Sequence, residues 1–309
     1  MMSPPPSGIE VIELSKRYGA RQVLKRVSFS APAGSITGLL GPNGSGKSTT
    51  MRAMTSLSAP SSGSVLFDGA RYDELANPGA IVGTLLDASA HHSGRTAYET
   101  VRQAGLMIGS TKQRVHEVVD AMGLATAASR RFGALSLGMR QRVGLAIAFL
   151  STPRYLILDE PMNGLDVESI GWVRNELIRF AHGDGGAVVI SSHLLQELQA
   201  YVDRVAIISR GELVLEQKMG ELKGDAGCEV VVVEADCAAL ERLLNTHGVE
   251  SRPLGTPGGY WVKLPSRRLA LRLLDARIAP VSLAEGRTHS LEEVYLRMTR
   301  GEYELAERR

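Results

Sequence analysis

The sequence predicts an α/β fold with a mainly parallel core sheet, followed by a small α+β unit. Three observations lead there. Gly41-Pro42-Asn43-Gly44-Ser45-Gly46-Lys47-Ser48-Thr49 fits the phosphate-loop pattern and sits between an apolar strand and a helix. Short apolar strands alternate with helices up to about Gly220, with edge hairpins at the start. From Gly224 the order becomes β-α-β-β-α-β, that of a ferredoxin-like unit. The expected domains are 8–220 and 224–309.

Composition narrows the class. The chain has 309 residues, 44% of them hydrophobic, enough for one large or two ordinary domains. A net charge of +2 makes no case for a nucleic-acid-binding field, and 5% aromatic residues make none for base stacking. No nucleic-acid partner is expected. Cys228 and Cys237 lack metal-like spacing and fit reduced thiols of a cytosolic protein. The stretch Met1 to Gly8 holds a proline run and no apolar core, so it does not read as a signal peptide. No apolar run approaches the roughly 20 residues needed to span a bilayer. The expectation is a protein soluble by itself that reaches a membrane only through a partner.

Ile9 to Leu14 and Gln22 to Ser30 read as strands, with apolar residues alternating against polar ones. Tyr18 lies between them, where a hairpin would carry its ring over the phosphate loop as a platform for adenine. Ser35 to Leu40 leads into the loop as a strand, and Ser48 to Leu57 leads out as a helix. The glycines let the backbone turn tightly, so that N–H groups and the helix's positive end face an anion. Lys47 would add charge at the β- and γ-phosphates, and the Ser48 hydroxyl could hold Mg²⁺.

Gly63 to Asp68 and Ala80 to Leu86 read as strands, followed by a Gly/Ser/His-rich connection from Asp87 to Arg95. Within it, His91 and His92 have no acidic or thiol companion at ligand spacing and read as a solvated loop. Helices are expected at Ala97 to Ile108 and Lys112 to Met122, as an all-helical insert. In Leu135-Ser136-Leu137-Gly138-Met139-Arg140-Gln141-Arg142, Ser136 reads as an N-cap; on local sequence alone this is a capped helix.

Tyr155 to Leu158 is an apolar strand ending in Asp159 and Glu160. Parallel sheets bind ligands at their carboxyl edge, and two adjacent acids there are costly unless a cation or a reaction uses them. Asp159 suits Mg²⁺, directly or through water. Glu160 faces the other way and could polarise a water attacking the γ-phosphate. A loop through Asp166 leads to a helix ending near Ala181. Ala187 to Ser192 is a further buried strand, and His193 just past it can reach the γ-phosphate. Val205 to Ser209 and Glu212 to Glu216 close the region as a hairpin.

In the second segment, strands are expected at Glu229 to Glu234, Val249 to Leu254, Tyr260 to Leu264 and Val281 to Glu285. Helices are expected at Cys237 to Thr246 and Ser266 to Ala276, with a last one at Ser290 to Arg300 that opens on a Ser290/Glu293 capping box. No catalytic constellation is visible there, and the segment reads as accessory.

Together these residues resemble the ATP-binding subunit of an ABC transporter over Ile9 to Gln217. Tyr18 matches the adenine-stacking aromatic, Gly41 to Thr49 Walker A, and Leu156 to Asp159 Walker B with Glu160 as catalytic glutamate. Gly164-Leu165-Asp166 matches the D-loop and His193 the switch histidine. Leu135 to Met139 resembles the signature, with Leu137 in place of a glycine and Met139 in place of glutamine. The resemblance implies ATP and Mg²⁺ as ligands and a head-to-tail dimer, with each ATP between one Walker A and the other copy's Ser136 and Gly138. Asp87 stands where the family has glutamine. It could still ligate Mg²⁺, though it adds a negative charge beside the phosphates. Val82 to Asp87, Leu135 to Arg142 and Ser290 to Leu296 look like the bacterial drug and antibiotic-resistance exporter branch. That branch implies a separate integral membrane permease of the ABC-2 type and a cytoplasmic subunit, peripheral on the inner face of the membrane.

Overall fold

A computed structural model describes residues 8–192, 198–222, 228–285, 291 and 295. They fall into two compact units divided between Gln217 and Lys218, with Tyr295 in the first. In the first unit, β1 (Gly8–Tyr18) and β2 (Arg21–Pro32) form an antiparallel hairpin that closes on the pair Tyr18 and Arg21. Gly19 supplies the positive φ, 56°, that the turn requires. β4 (Ser62–Phe67) pairs with the other edge of β1, and β5 (Ala70–Arg71) with β4.

The second sheet runs β10-β9-β3-β8-β7-β6. At its centre, β3 (Ser35–Leu40) lies parallel between β8 (Ala187–Ser191) and β9 (Arg204–Ser209). β7 (Tyr155–Leu158) and β6 (Val82–Leu85) continue it in parallel. All residues of β7 and β8 are buried, which is why these strands read as unbroken apolar runs. Leu39 stands beside Ser191 and Leu158 beside Ile190, so the ends of β3, β7 and β8 reach one sheet edge together. At the far edge, β10 (Glu212–Lys218) follows β9 through Arg210 and Gly211, both at positive φ, 51° and 80°. That is the turn a right-twisted hairpin favours.

The helices follow their caps. α1 (Lys47–Met54) ends where Ser56 takes φ 56°, short of the expected Leu57. The segment expected as a single strand from Ala80 to Leu86 is divided into a turn of helix, α2 (Pro78–Ile81), and β6. The cause is local: Asn77 caps the Ala80 N–H at 3.3 Å and Pro78 occupies the first helical position. α3 (Ala97–Ile108) opens on a Thr96/Glu99 capping box and stops at Gly109, φ 79°. α4 (Lys112–Ala121) and α5 (Leu137–Ala148) start at the N-caps Thr111 and Ser136. α6 (Val167–Ile178) runs on into a wider turn over Arg179–Gly183.

The second unit is a four-stranded antiparallel sheet, β12 (Ser251–Pro253), β13 (Gly259–Val262), β11 (Cys228–Val232) and β14 (Pro280–Glu285), in that order. Helices Cys237–Thr246 and Ser266–Asp275 each present two buried leucines one turn apart, Leu240 with Leu244 and Leu269 with Leu273. These join Cys228, Val230 and Val262 in one core. The chain order and sheet order together are those of a ferredoxin-like fold. Burial pushes the Cys228 thiol up to about 11, and neither cysteine is in a disulfide. Of the expected helix Ser290 to Arg300, only Leu291 and Tyr295 are described, and both are helical; the remainder lies outside the described residues.

Candidate nucleotide site

Between β3 and α1 the chain turns on glycines that cannot be exchanged. Gly41 has φ 153° and Gly46 φ 116°. A Cβ on Gly41 would stand 2.1 Å from the Ile208 carbonyl oxygen, and one on Gly46 2.5 Å from Leu24 Cδ2. Gly44, at φ 79°, faces open space. The Gly211 N–H donates to the Ser45 carbonyl at 3.0 Å, so the β9–β10 turn fastens the loop from behind. A Cβ on Gly211 would lie 2.2 Å from the Val23 carbonyl oxygen. The loop thus delivers the chain to the start of α1, and the positive end of a helix favours an anion. Lys47 is 9% exposed and spans its own loop, Nζ donating to the Gly41 and Pro42 carbonyls at 2.6 and 3.2 Å.

The carboxyl ends of β7 and β8 supply the opposite wall. The Asp159 N–H donates to the Leu85 carbonyl at 2.7 Å, extending the β6–β7 pairing by one bond. The Ser191 hydroxyl donates to Asp159 Oδ1 at 2.5 Å and accepts the Glu160 N–H at 2.9 Å. Glu160 takes φ 49°, the conformation that turns the chain toward Pro161. Its carbonyl accepts from the Asn163 N–H at 3.1 Å and from Gln141 Nε2 at 2.9 Å.

A cavity of about 420 Å³ lies between these walls, lined by Arg21, Val23, Asn43, Gly44, Gly46, Lys47, Ser48, Thr49, Leu86, Asp159 and Glu160. Its size suits a small ligand, and its lining sets one ammonium and one guanidinium opposite two carboxylates. Arg21, Val23 and Leu86 are additions that sequence reasoning missed. Arg21 stands across the hairpin from Tyr18, and a basic residue beside a candidate base platform was the available signal.

Several expected residues do not line this cavity. The Tyr18 ring lies under Lys16 Nζ, 4.8 Å from the ring centre, and its hydroxyl meets Ser58 Oγ at 3.0 Å. Asp87 accepts from the Ser89 N–H at 2.8 Å and hydroxyl at 2.6 Å, bonds that hold its carboxyl below the usual range. Asp166 caps α6, accepting from the Ser169 N–H at 2.8 Å, and pairs with Arg142 at 2.9 Å. The Ser169 bonds hold its carboxyl low as well. Ser136 caps α5 through the Met139 N–H at 3.3 Å. A Cβ on Gly138 would lie 2.5 Å from the Gly164 carbonyl oxygen, so the start of α5 packs on the loop before α6. His193 lies outside the described residues. His91 departs from the solvated loop expected of it: it is half-buried, edge-on to Phe132 at 5.2 Å. Among the described residues, no cluster of three or more His, Cys, Asp or Glu could hold a metal by itself.

The family model for ABC transporters matches residues 24–163. The bacitracin transport ATP-binding protein BcrA of Enterococcus faecalis is 37% identical over 216 residues, covering 69% of this chain and 70% of the relative. This chain belongs to the ABC transporter ATP-binding family. It is an ATPase by that membership, and ATP is its nucleotide. A second ABC relative, the lantibiotic transport ATP-binding protein SrtF of Streptococcus pyogenes, is 33% identical over 210 residues, covering 68% of this chain and 90% of its own. The uncharacterized ABC transporter ATP-binding protein YhcH of Bacillus subtilis (strain 168) is 32% identical over 295 residues, 94% of this chain and 95% of its own, so the likeness extends through the second unit. A solved ATP-binding subunit of an ABC transporter superposes with TM-score 0.64 at 26% identity, over 70% of this chain and 92% of that one. The cassette MJ0796, solved as a dimer with ADP and Pi, shares the fold at TM-score 0.62 and 23% identity, over 68% of this chain and 98% of that one. No helix among the described residues is long and apolar enough to cross a membrane.

Proposed function

We propose that this ABC subunit powers export of an antibiotic-like molecule through a separate membrane permease of the ABC-2 type, to which it binds on the cytoplasmic face. The observation that carries the reading is the single cavity wall-to-wall from Lys47 and Ser48 to Asp159 and Glu160. The names of the bacitracin and lantibiotic transport relatives support the choice of cargo class.

The lining fits a triphosphate and its counter-ion. Lys47 and the hydroxyls of Ser48 and Thr49 line the same space as the carboxylates of Asp159 and Glu160. Ser48 and Asp159 would hold Mg²⁺ together with phosphate oxygens, the bound ion supplying neutralisation of phosphate charge. Asp87 is left out of that set, since its carboxylate engages Ser89 and does not line the cavity. Lys47 exchanges its loop carbonyls for the β- and γ-phosphates. Glu160 orients a water for in-line attack and takes its proton. Tyr18 flanks the base, and His193 contacts the γ-phosphate.

Ser136, Gly138 and Asp166 are not among the residues lining this copy's cavity, and we assign them to the nucleotide of a second copy in a head-to-tail dimer. Residues 8–220 form the ATP-binding domain and 224–309 an accessory domain. The test is a host strain carrying this chain together with a candidate ABC-2 permease, challenged with bacitracin. The inhibitory concentration of the exported antibiotic should rise, and Glu160→Gln should abolish the rise while ATP still binds. ATP turnover stimulated by RNA rather than by the permease would overturn the reading.

A further inference from the structure

We infer that Gln141 is a positioning residue for Glu160, joining the helix that starts at Ser136 to the turn that carries the acid. The inference rests on the reading of Glu160 given above. Gln141 lies on α5 and is 4% exposed, with Nε2 donating to the Glu160 carbonyl at 2.9 Å. Glu160 is held at φ 49°, a backbone conformation unfavourable for a residue with a side chain, which persists only where its surroundings over-determine it.

Ser191, Asn163 and Gln141 each bond to the Glu160 backbone. The Ser191 hydroxyl accepts its N–H at 2.9 Å, and the Asn163 N–H donates to its carbonyl at 3.1 Å. Both belong to the sheet edge or to the acid's own turn. The Gln141 amide comes from a different element, five residues after Ser136. At the start of that element, Gly138 is packed against the Gly164 carbonyl with no space for a Cβ. A displacement of the α5 start is therefore transmitted through a buried side chain to the peptide that aims the Glu160 carboxylate. When the second copy's nucleotide docks on Ser136 and Gly138, that peptide is the part of the hydrolytic machinery which senses it. Removing the amide takes away the one bond to the carbonyl that comes from α5, and with it the coupling between the α5 start and the aim of the carboxylate.

The test uses the full chain with Gln141→Met and Gln141→Glu. Methionine keeps the volume and removes the donor. Glutamate keeps the shape and sets an acceptor against the carbonyl. The expected result is a fall in kcat of about 10-fold for methionine and more for glutamate, the scale of a misplaced reacting group. The ATP Kd of both should stay within about 2-fold, because Gln141 does not line the cavity, and thermal unfolding should remain cooperative. A kcat within about 2-fold of wild type in the methionine variant, or a Kd that weakens in step with kcat, would overturn the inference. Glu160→Gln measured alongside separates the two readings. Wild-type turnover in that variant removes the role of Glu160 itself. Loss of turnover there, with full turnover in both Gln141 variants, removes only the link.

Discussion

Ser191 binds Asp159 at 2.5 Å across the β7–β8 pair and, with the same oxygen, takes the N–H of Glu160 at 2.9 Å. The two acids at the end of β7 thus share one buried hydroxyl, which orients the first through a donated proton and the second through its backbone. Ser191→Ala leaves both groups without that partner in a fully buried position. The expected cost is about 1–3 kcal/mol of stability and a drop in kcat, with the ATP Kd little changed. Differential scanning calorimetry and steady-state turnover check both. An unchanged kcat would remove Ser191 from the alignment of the acids.

Arg21 brings a cation to the cavity from an edge strand and shares its lining with Val23, Asn43 and Gly44. Arg21→Ala should weaken ATP binding by about 10-fold, one charge-assisted contact's worth. Adenosine, which carries no charge, should bind nearly as before. Titration of both ligands into wild type and variant decides it. Equal losses for the two would mean that Arg21 acts through the hairpin and not through the phosphates.

Ser136 does not line its own chain's cavity, so a charge placed there should leave ATP binding to the single chain intact. Ser136→Glu is expected to keep the ATP Kd within about 2-fold while turnover falls by at least about 100-fold, as when a trans-acting group is lost. Sedimentation with ATP should show the dimer disappearing. A parallel loss of ATP affinity by the isolated chain would indicate that α5 completes the site in cis.

His91 sets a pH dependence of stability. Burial against Phe132 holds it below its ordinary 6.5, with the nearby Asp87 charge opposing the shift. As pH falls through 6.5, the unfolded chain takes up the proton before the folded one does. The stability contributed by neutral His91 is therefore fully present above that pH and is lost below it. The melting temperature should fall further in wild type than in His91→Phe between pH 7 and pH 5. Identical pH profiles for the two proteins would assign the decline to other groups.

Much of this was legible because local chemistry and tertiary structure agree. The helix at Ala97 begins and ends where its capping box and Gly109 require, and the helix at Cys237 follows the spacing of Leu240 and Leu244. The phosphate loop declared itself by spacing alone. The sequence was silent where the information is tertiary. Ser191 and Asp159 are 32 residues apart and meet only because β7 and β8 are in register. Arg21 and Val23 reach the cavity through the folding of an edge hairpin, which no motif records. The break at Asn77-Pro78 was readable from its cap and proline, but the apolar run from Ala80 concealed it. Tyr18 sits at the expected hairpin end, with its ring engaged by Lys16.

Gly41, Gly46 and Gly211 meet where the phosphate loop, β2 and the β9–β10 turn converge, and each would drive a Cβ into a neighbour at 2.1, 2.5 and 2.2 Å. This junction sets how the sequence can drift. A substitution at Gly41 or Gly211 has no nearby compensating change, because the obstacles there are main-chain carbonyls, whereas the obstacle at Gly46 is the Leu24 side chain and its φ of 116° sets the remaining strain. Gly44, at φ 79° with open space where a Cβ would stand, needs only a residue that tolerates positive φ, such as asparagine. Within one nine-residue motif, some glycines are therefore fixed by the fold and another only by its torsion angle. A library of single variants would separate the two kinds without any nucleotide present.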